Sequence, residues 1–155
     1  MLPPSTYKTI KQARGSRLCV ACVAAMAVGK GLRYAMNRMT PTRWPDGRHY
    51  YKVRELLKFL GQHGICPGLI FGPPPGPVTK TTPLGCDVPL KARPAVLSIP
   101  SAHFPNTEHM LFWDGDVVRD PDPDMPDTVS LVRYRIVEIM PLTYLDERPT
   151  RKATT

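Results

Sequence analysis

Cys19, His109, Asp120 and Gln12 are the side chains in this sequence whose types could together break an amide bond. A thiolate attacks, an imidazole moves the proton, a carboxylate orients the imidazole, and a side-chain amide donates to the developing oxyanion. Cys19 is the second residue of the run LCVACVAAMAV at residues 18–28, which is apolar on every side and reads as a buried helix. Unpaired N–H groups and the helix dipole at its first turn favour an anion, the form in which sulfur attacks. The plainer reading of Cys19 is a small buried hydrophobe, the usual state of a free cysteine.

The histidine and the aspartate meet through local pattern. In EHMLFWDGDVVRDPDP, Asp114-Gly115 between two β-rich runs predicts a two-residue type I′ hairpin. That register sets Trp113 opposite Asp116, Leu111 opposite Val118 and His109 opposite Asp120. Opposed residues of antiparallel strands share a face, with Cβ atoms roughly 4.5–5.5 Å apart. A purely structural cross-strand pair would have the same spacing.

Other reactive types carry weaker readings. Cys22 completes a CVAC motif, but redox chemistry of the thioredoxin type wants a strand directly before it, and KQARGSR reads as loop. Cys19 and Cys22 have the spacing of half a zinc site, while Cys66 and Cys86 stand alone. No metal and no cofactor are expected. His103 sits in a Pro-flanked loop with no aligned carboxylate, and His49 and His63 read as surface residues. Trp44 with Arg43 and Arg48 is either a partner site or ordinary surface.

The elements that must position these residues follow from periodicity. Residues 1–17 form an extended arm ending in a polar loop. Ser16 is the expected N-cap of the buried helix, and Gly29 and Gly31 its stop. Val53, Leu56, Leu57 and Leu60 share one face of a second helix over 52–62, stopped by Gly61 and Gly64. A strand over 66–71 precedes a Pro-rich loop at 72–94, expected to border the groove. Strands are expected at 94–99, 109–113, 116–120 and 129–139, then a polar tail over 145–155. The layout is α+β, one domain over 1–155, with the buried N-terminal helix packed on an antiparallel sheet.

Composition bounds the function classes. The chain has 155 residues, 42% hydrophobic, and a formal charge of +8 that is scattered rather than striped. Nucleic acid is therefore a less favoured partner than a peptide or protein. No apolar run reaches membrane-spanning length, so no membrane partner is expected and a cytoplasmic protein with free thiols is.

Together, Gln12 followed by LCVACVAAMAVG and, far downstream, HMLFWDGDVVRDPDP resemble the papain-like cysteine peptidase superfamily. The likeness is nearest to the bacteriocin-processing (double-glycine) peptidases and related small proteins of phages and bacteria. It implies a papain-like fold, with Cys19 as nucleophile, His109 as base, Asp120 as its orienter and Gln12 as side-chain oxyanion donor. The activity implied is hydrolysis of a peptide, isopeptide or other amide bond. Gln12 stands seven residues before Cys19 rather than the usual six, and Val20 follows the cysteine where glycine or a large aromatic is common. The alternative is a degenerate papain-like binding scaffold, such as a phage protein that inhibits a host factor in the host cytoplasm, or a virion or assembly component.

Overall fold

The computed structural model describes residues 7–73, 77–82, 90–91 and 93–145. The first six residues of the expected arm, Cys86, much of the Pro-rich loop and the tail from 146 onward lie outside the described residues. The architecture is α+β, with helices α1 (Cys19–Val28), α2 (Leu32–Met36) and α3 (Val53–Gln62) against an antiparallel sheet. A short hairpin, β1 (Thr42–Arg43) with β2 (His49–Tyr50), separates α2 from α3. The sheet runs in the order β3-β7-β4-β5-β6, from β3 (Ile65–Pro67), β4 (Ala95–Pro100), β5 (Glu108–Trp113), β6 (Val118–Arg119) and β7 (Glu138–Tyr144). No helix among the described residues is long and apolar enough to cross a membrane.

The all-round apolar run forms the central helix. Val20 to Met26 and Ala27 are buried on α1, and most are 0% exposed, so its polar backbone is shielded on all sides by protein. Small side chains let it lie close to Val96, Phe112, Met140 and Leu142 of the sheet and Leu56, Phe59 and Leu60 of α3. Gly29 ends it at φ 69°, a left-handed conformation that costs a glycine little. The expected Ser16 cap is not made. The N-cap is Leu18, whose side chain has no acceptor to offer, and Gln12 Oε1 reaches from the arm to accept the Leu18 N–H at 2.9 Å.

Alternation along β5 divides the core. Met110 and Phe112 face the α1 cluster, while Leu111 and Trp113 join Leu97, Val118, Val129 and Ile139 in a second one. The Trp113 indole N–H donates to the Leu90 carbonyl at 2.9 Å, satisfying the one polar atom of a ring that is 0% exposed.

Three expected strands are corrected. The run over 129–139 is a bridge at Val129 and a 3-10 turn at Leu131–Arg133, and the strand begins only at Glu138 and continues through Pro141 to Tyr144. Leu131 and Ile136 are instead anchored in the second cluster, so imperfect alternation reflected loop residues packing inward. The strand expected over 66–71 is Ile65–Pro67, with Phe71 making a separate bridge to Ile139. The strand expected over 116–120 is only Val118–Arg119.

The hairpin register is corrected as well. Phe112 pairs with Arg119 and Trp113 with Val118, a shift of two residues from the expected pairing, and the loop is four residues long. A type I′ turn needs positive φ at both central residues, and only Gly115, at φ 99°, adopts it. The Asp114 carboxylate instead accepts the Asp116 and Val117 N–H groups, each at 2.9 Å, and the Arg119 Nε at 2.6 Å. That buried carboxylate closes the wider loop.

Candidate active site

The arm, the start of α1, β5 and the loop after β6 converge. Gln12, Cys19 and His109 line one cavity of about 180 Å³, together with Ser16, Arg17, Trp44, Tyr51, His103, Phe104 and Glu108 among others. Cys19 is the first residue of α1 and is half-buried, whereas Cys22, one turn deeper, is 0% exposed. Burial pushes the Cys22 thiol up to about 12, with Cys19 adding to the shift. Cys22 is a core residue rather than a second reactive sulfur. Cys66 is exposed and away from the cavity.

The His109 Nε2 and Asp120 Oδ1 are 2.7 Å apart, although the observed register places them diagonally rather than opposite each other. Side-chain direction has a period of two along a strand, so a two-residue shift leaves both on one face, and the β6 strand ends at Arg119 just before the aspartate. Asp120 is 2% exposed and fully engaged. Its Oδ1 also accepts the Asp122 N–H at 2.8 Å, and its Oδ2 accepts the Tyr134 hydroxyl at 2.7 Å. Burial would push the His109 imidazole down. The Asp120 hydrogen bond and then the Cys19 side chain outweigh it and raise it to about 10. With Nε2 committed to Asp120, Nδ1 is the ring nitrogen left for Cys19.

Gln12 is oriented by its own bonds. Its backbone N–H donates to the Pro121 carbonyl at 2.9 Å, and its Oε1 is held by the Leu18 N–H. The geometry of the amide then leaves Nε2 as the donor end. It makes no hydrogen bond among the described residues, and Gln12 lines the cavity. Between Gln12 and Cys19 the chain turns at Gly15, which adopts φ 75°.

Two residues that sequence reasoning missed support this arrangement. Lys11 Nζ donates to the carbonyls of Asp120 (2.8 Å), Asp122 (3.0 Å), Met125 (2.7 Å) and Pro126 (3.1 Å). One ammonium thereby gathers the loop that carries Asp120 and ties it to the residue beside Gln12. Tyr134 comes from the segment expected to be strand, and burial followed by the Asp120 contact raises its phenol. Neither has a sequence signal, since the Lys11 contacts span more than 100 residues.

His103 is corrected too. Its Nε2 lies 3.0 Å from Asp122 Oδ2, so it does have a carboxylate, from the loop that follows β6. His103 is exposed, and Asp122 is not shared with His109. Among the described residues, His103, Asp122 and Asp124 form the one group with metal-ligand spacing, but Asp124 is already paired with Arg14 at 2.6 Å. His49 is exposed as expected, while His63 is half-buried between the Tyr34 hydroxyl and the Phe59 carbonyl. The described part of the 72–94 loop does not line the Cys19 cavity. Thr79, Lys80 and Thr81 border a different depression of about 430 Å³, which holds no nucleophile and base.

No protein-family model matches the chain, and no curated protein matches it.

Proposed function

We propose that this protein is a papain-like cysteine hydrolase that cleaves a peptide, isopeptide or other amide bond. The observation that carries the reading is the His109 imidazole, held by buried Asp120 through Nε2 and raised jointly by Asp120 and Cys19 in one cavity. The Cys19 sulfur, as thiolate, adds to the substrate carbonyl carbon, and the carbonyl oxygen becomes an oxyanion. The Cys19 backbone N–H, which has no acceptor within its helix, and Gln12 Nε2 donate to that oxygen. The C–N bond then breaks as the His109 imidazolium gives its Nδ1 proton to the leaving amine. Water next attacks the thioester with neutral His109 taking its proton, the C–S bond breaks, and the acid leaves. Asp120 stays ionised throughout and holds the ring. A reducing cytoplasm, that of a host cell if the protein is phage-encoded, suits this chemistry because Cys19 must remain a free thiol.

Thiol reactivity tests the reading. Iodoacetamide near neutral pH is expected to alkylate Cys19 well before Cys66, and to leave Cys22 unmodified in the folded protein. Cys19→Ala should abolish turnover of an amide substrate found with electrophilic peptide or double-glycine probes. Labelling of Cys19 no faster than Cys66 would sink the enzyme and leave a papain-like binding scaffold.

A further inference from the structure

Arg17 is the unexplained charge in the cavity. Its guanidinium carbon lies 4.2 Å from the centre of the Trp44 ring and 3.7 Å from that of Phe104, so it is clamped between two aromatic faces. The side chain is 15% exposed, and its buried Nε has no hydrogen-bond partner. The Asp46 carboxylate stands 4.0 Å from that nitrogen, beyond hydrogen-bonding distance, and is turned to Arg48, whose N–H and Nε lie at 2.9 and 3.4 Å. A guanidinium carries five donors in a rigid fork, and a buried one left without an acceptor is costly. The same residue lines the cavity with Cys19, two positions further along the chain.

We propose that Arg17 is the substrate's anion anchor, so the substrate class is an amide bearing a carboxylate next to the scissile bond. This deepens the hydrolase reading and rests on it for the bond cleaved, but not for the binding of the anion. A carboxylate matches a single guanidinium in charge and in the spacing of its two oxygens. Trp44 and Phe104 hold the fork flat, so little side-chain freedom is lost on binding. Glu108 lines the same cavity and repels a carboxylate from its own side, which favours the anion at the Arg17 end.

Iodoacetate and iodoacetamide test this, because they present the same electrophilic carbon beside a carboxylate or a neutral amide. The ratio of their rates at Cys19, mapped by mass spectrometry, is expected to fall roughly tenfold in Arg17→Met, as loss of one charged hydrogen bond would give, and to recover in part in Arg17→Lys. Using a ratio at one sulfur cancels changes in thiol reactivity. An unchanged ratio, with iodoacetamide still selecting Cys19, overturns the anchor and leaves the hydrolase standing. Trp44 fluorescence decides the anchor independently of the sulfur, because Trp44 stacks on Arg17 and Trp113 is fully buried. In Cys19→Ser, N-acetylglycylglycine or N-acetylaspartyl amide should give a saturable change that N-acetylglycylglycine amide does not. Which of the two acids binds tells a chain-terminal carboxylate from an acidic side chain. Equal responses to acid and amide overturn the proposal, and this comparison needs no Arg17 variant to fold.

Discussion

Asp120→Asn isolates the charge that holds His109. The asparagine oxygen can still accept from the imidazole and the Asp122 N–H, and its NH2 can meet Tyr134, whose phenolic oxygen also accepts. Shape and bond count survive, and the negative charge does not. In the wild type His109 is raised from 6.5 to about 10. A raised folded-state value means the stabilisation is complete below about pH 6.5 and is lost as pH climbs through about 10. At roughly 1.4 kcal/mol per unit the ceiling is about 5 kcal/mol, in line with the roughly 3–5 kcal/mol lost when one partner of a buried pair is removed. The variant should therefore be less stable at pH 6 by up to a few kcal/mol, and the gap should narrow towards pH 10. Urea unfolding at pH 6, 8 and 10 measures it, and the NMR titration of the His109 ring should move down in the variant. Turnover should lose its alkaline limb near pH 10, because the imidazolium is the proton donor, and that limb should move with the ring. A wild-type His109 that titrates near 6.5, or a stability gap that stays constant from pH 6 to 10, would refute the argument.

Tyr134→Phe removes a hydrogen bond from Asp120 Oδ2 and should cost about 1–2 kcal/mol, while leaving the carboxylate with more charge for His109. Its ring titration should therefore move up, the opposite sign to Asp120→Asn. Lys11→Met strips four carbonyls of their shared donor, so the loop over 120–126 should loosen; hydrogen exchange at the Gln12 amide, bonded to Pro121, should speed up and turnover should fall with the fold retained. Gly115→Ala forces a side chain into φ 99° and should lower stability by about 1–2 kcal/mol in thermal unfolding.

The proposed chemistry asks different things of the two halves of the site. The nucleophile and its backbone N–H sit at the start of a helix that is buried on all sides, so they are fixed by the core, while Gln12 reaches them from the arm, bonded to Leu18 and Pro121. The base and its orienter sit where a strand pair ends and a loop begins. Asp120 is held there by Tyr134, Lys11 and the chain's own turn rather than by the sheet. That makes the acid–base half the more sensitive to substitutions far from the cavity.

What could be read from the sequence was whatever local pattern dictates. An apolar run with no polar face has to be an interior helix, so α1 was legible almost to the residue. The alternation of HMLFW specified β5, and the period of two put His109 and Asp120 on one face whether or not the turn was right. The turn itself was not legible. Asp114-Gly115 carries the type I′ signature, but the Asp114 carboxylate gains more by capping its own loop and pairing with Arg119 in the interior, and this widened the loop by two residues. The segment over 129–139 failed for a related reason, since Leu131 and Ile136 are buried by packing against the second cluster rather than by pairing within the sheet. Lys11, Tyr134 and the Arg17 clamp are tertiary throughout. Each brings together residues that no periodicity relates, and only the folded chain decides which carbonyls, rings and carboxylates stand within reach of one another.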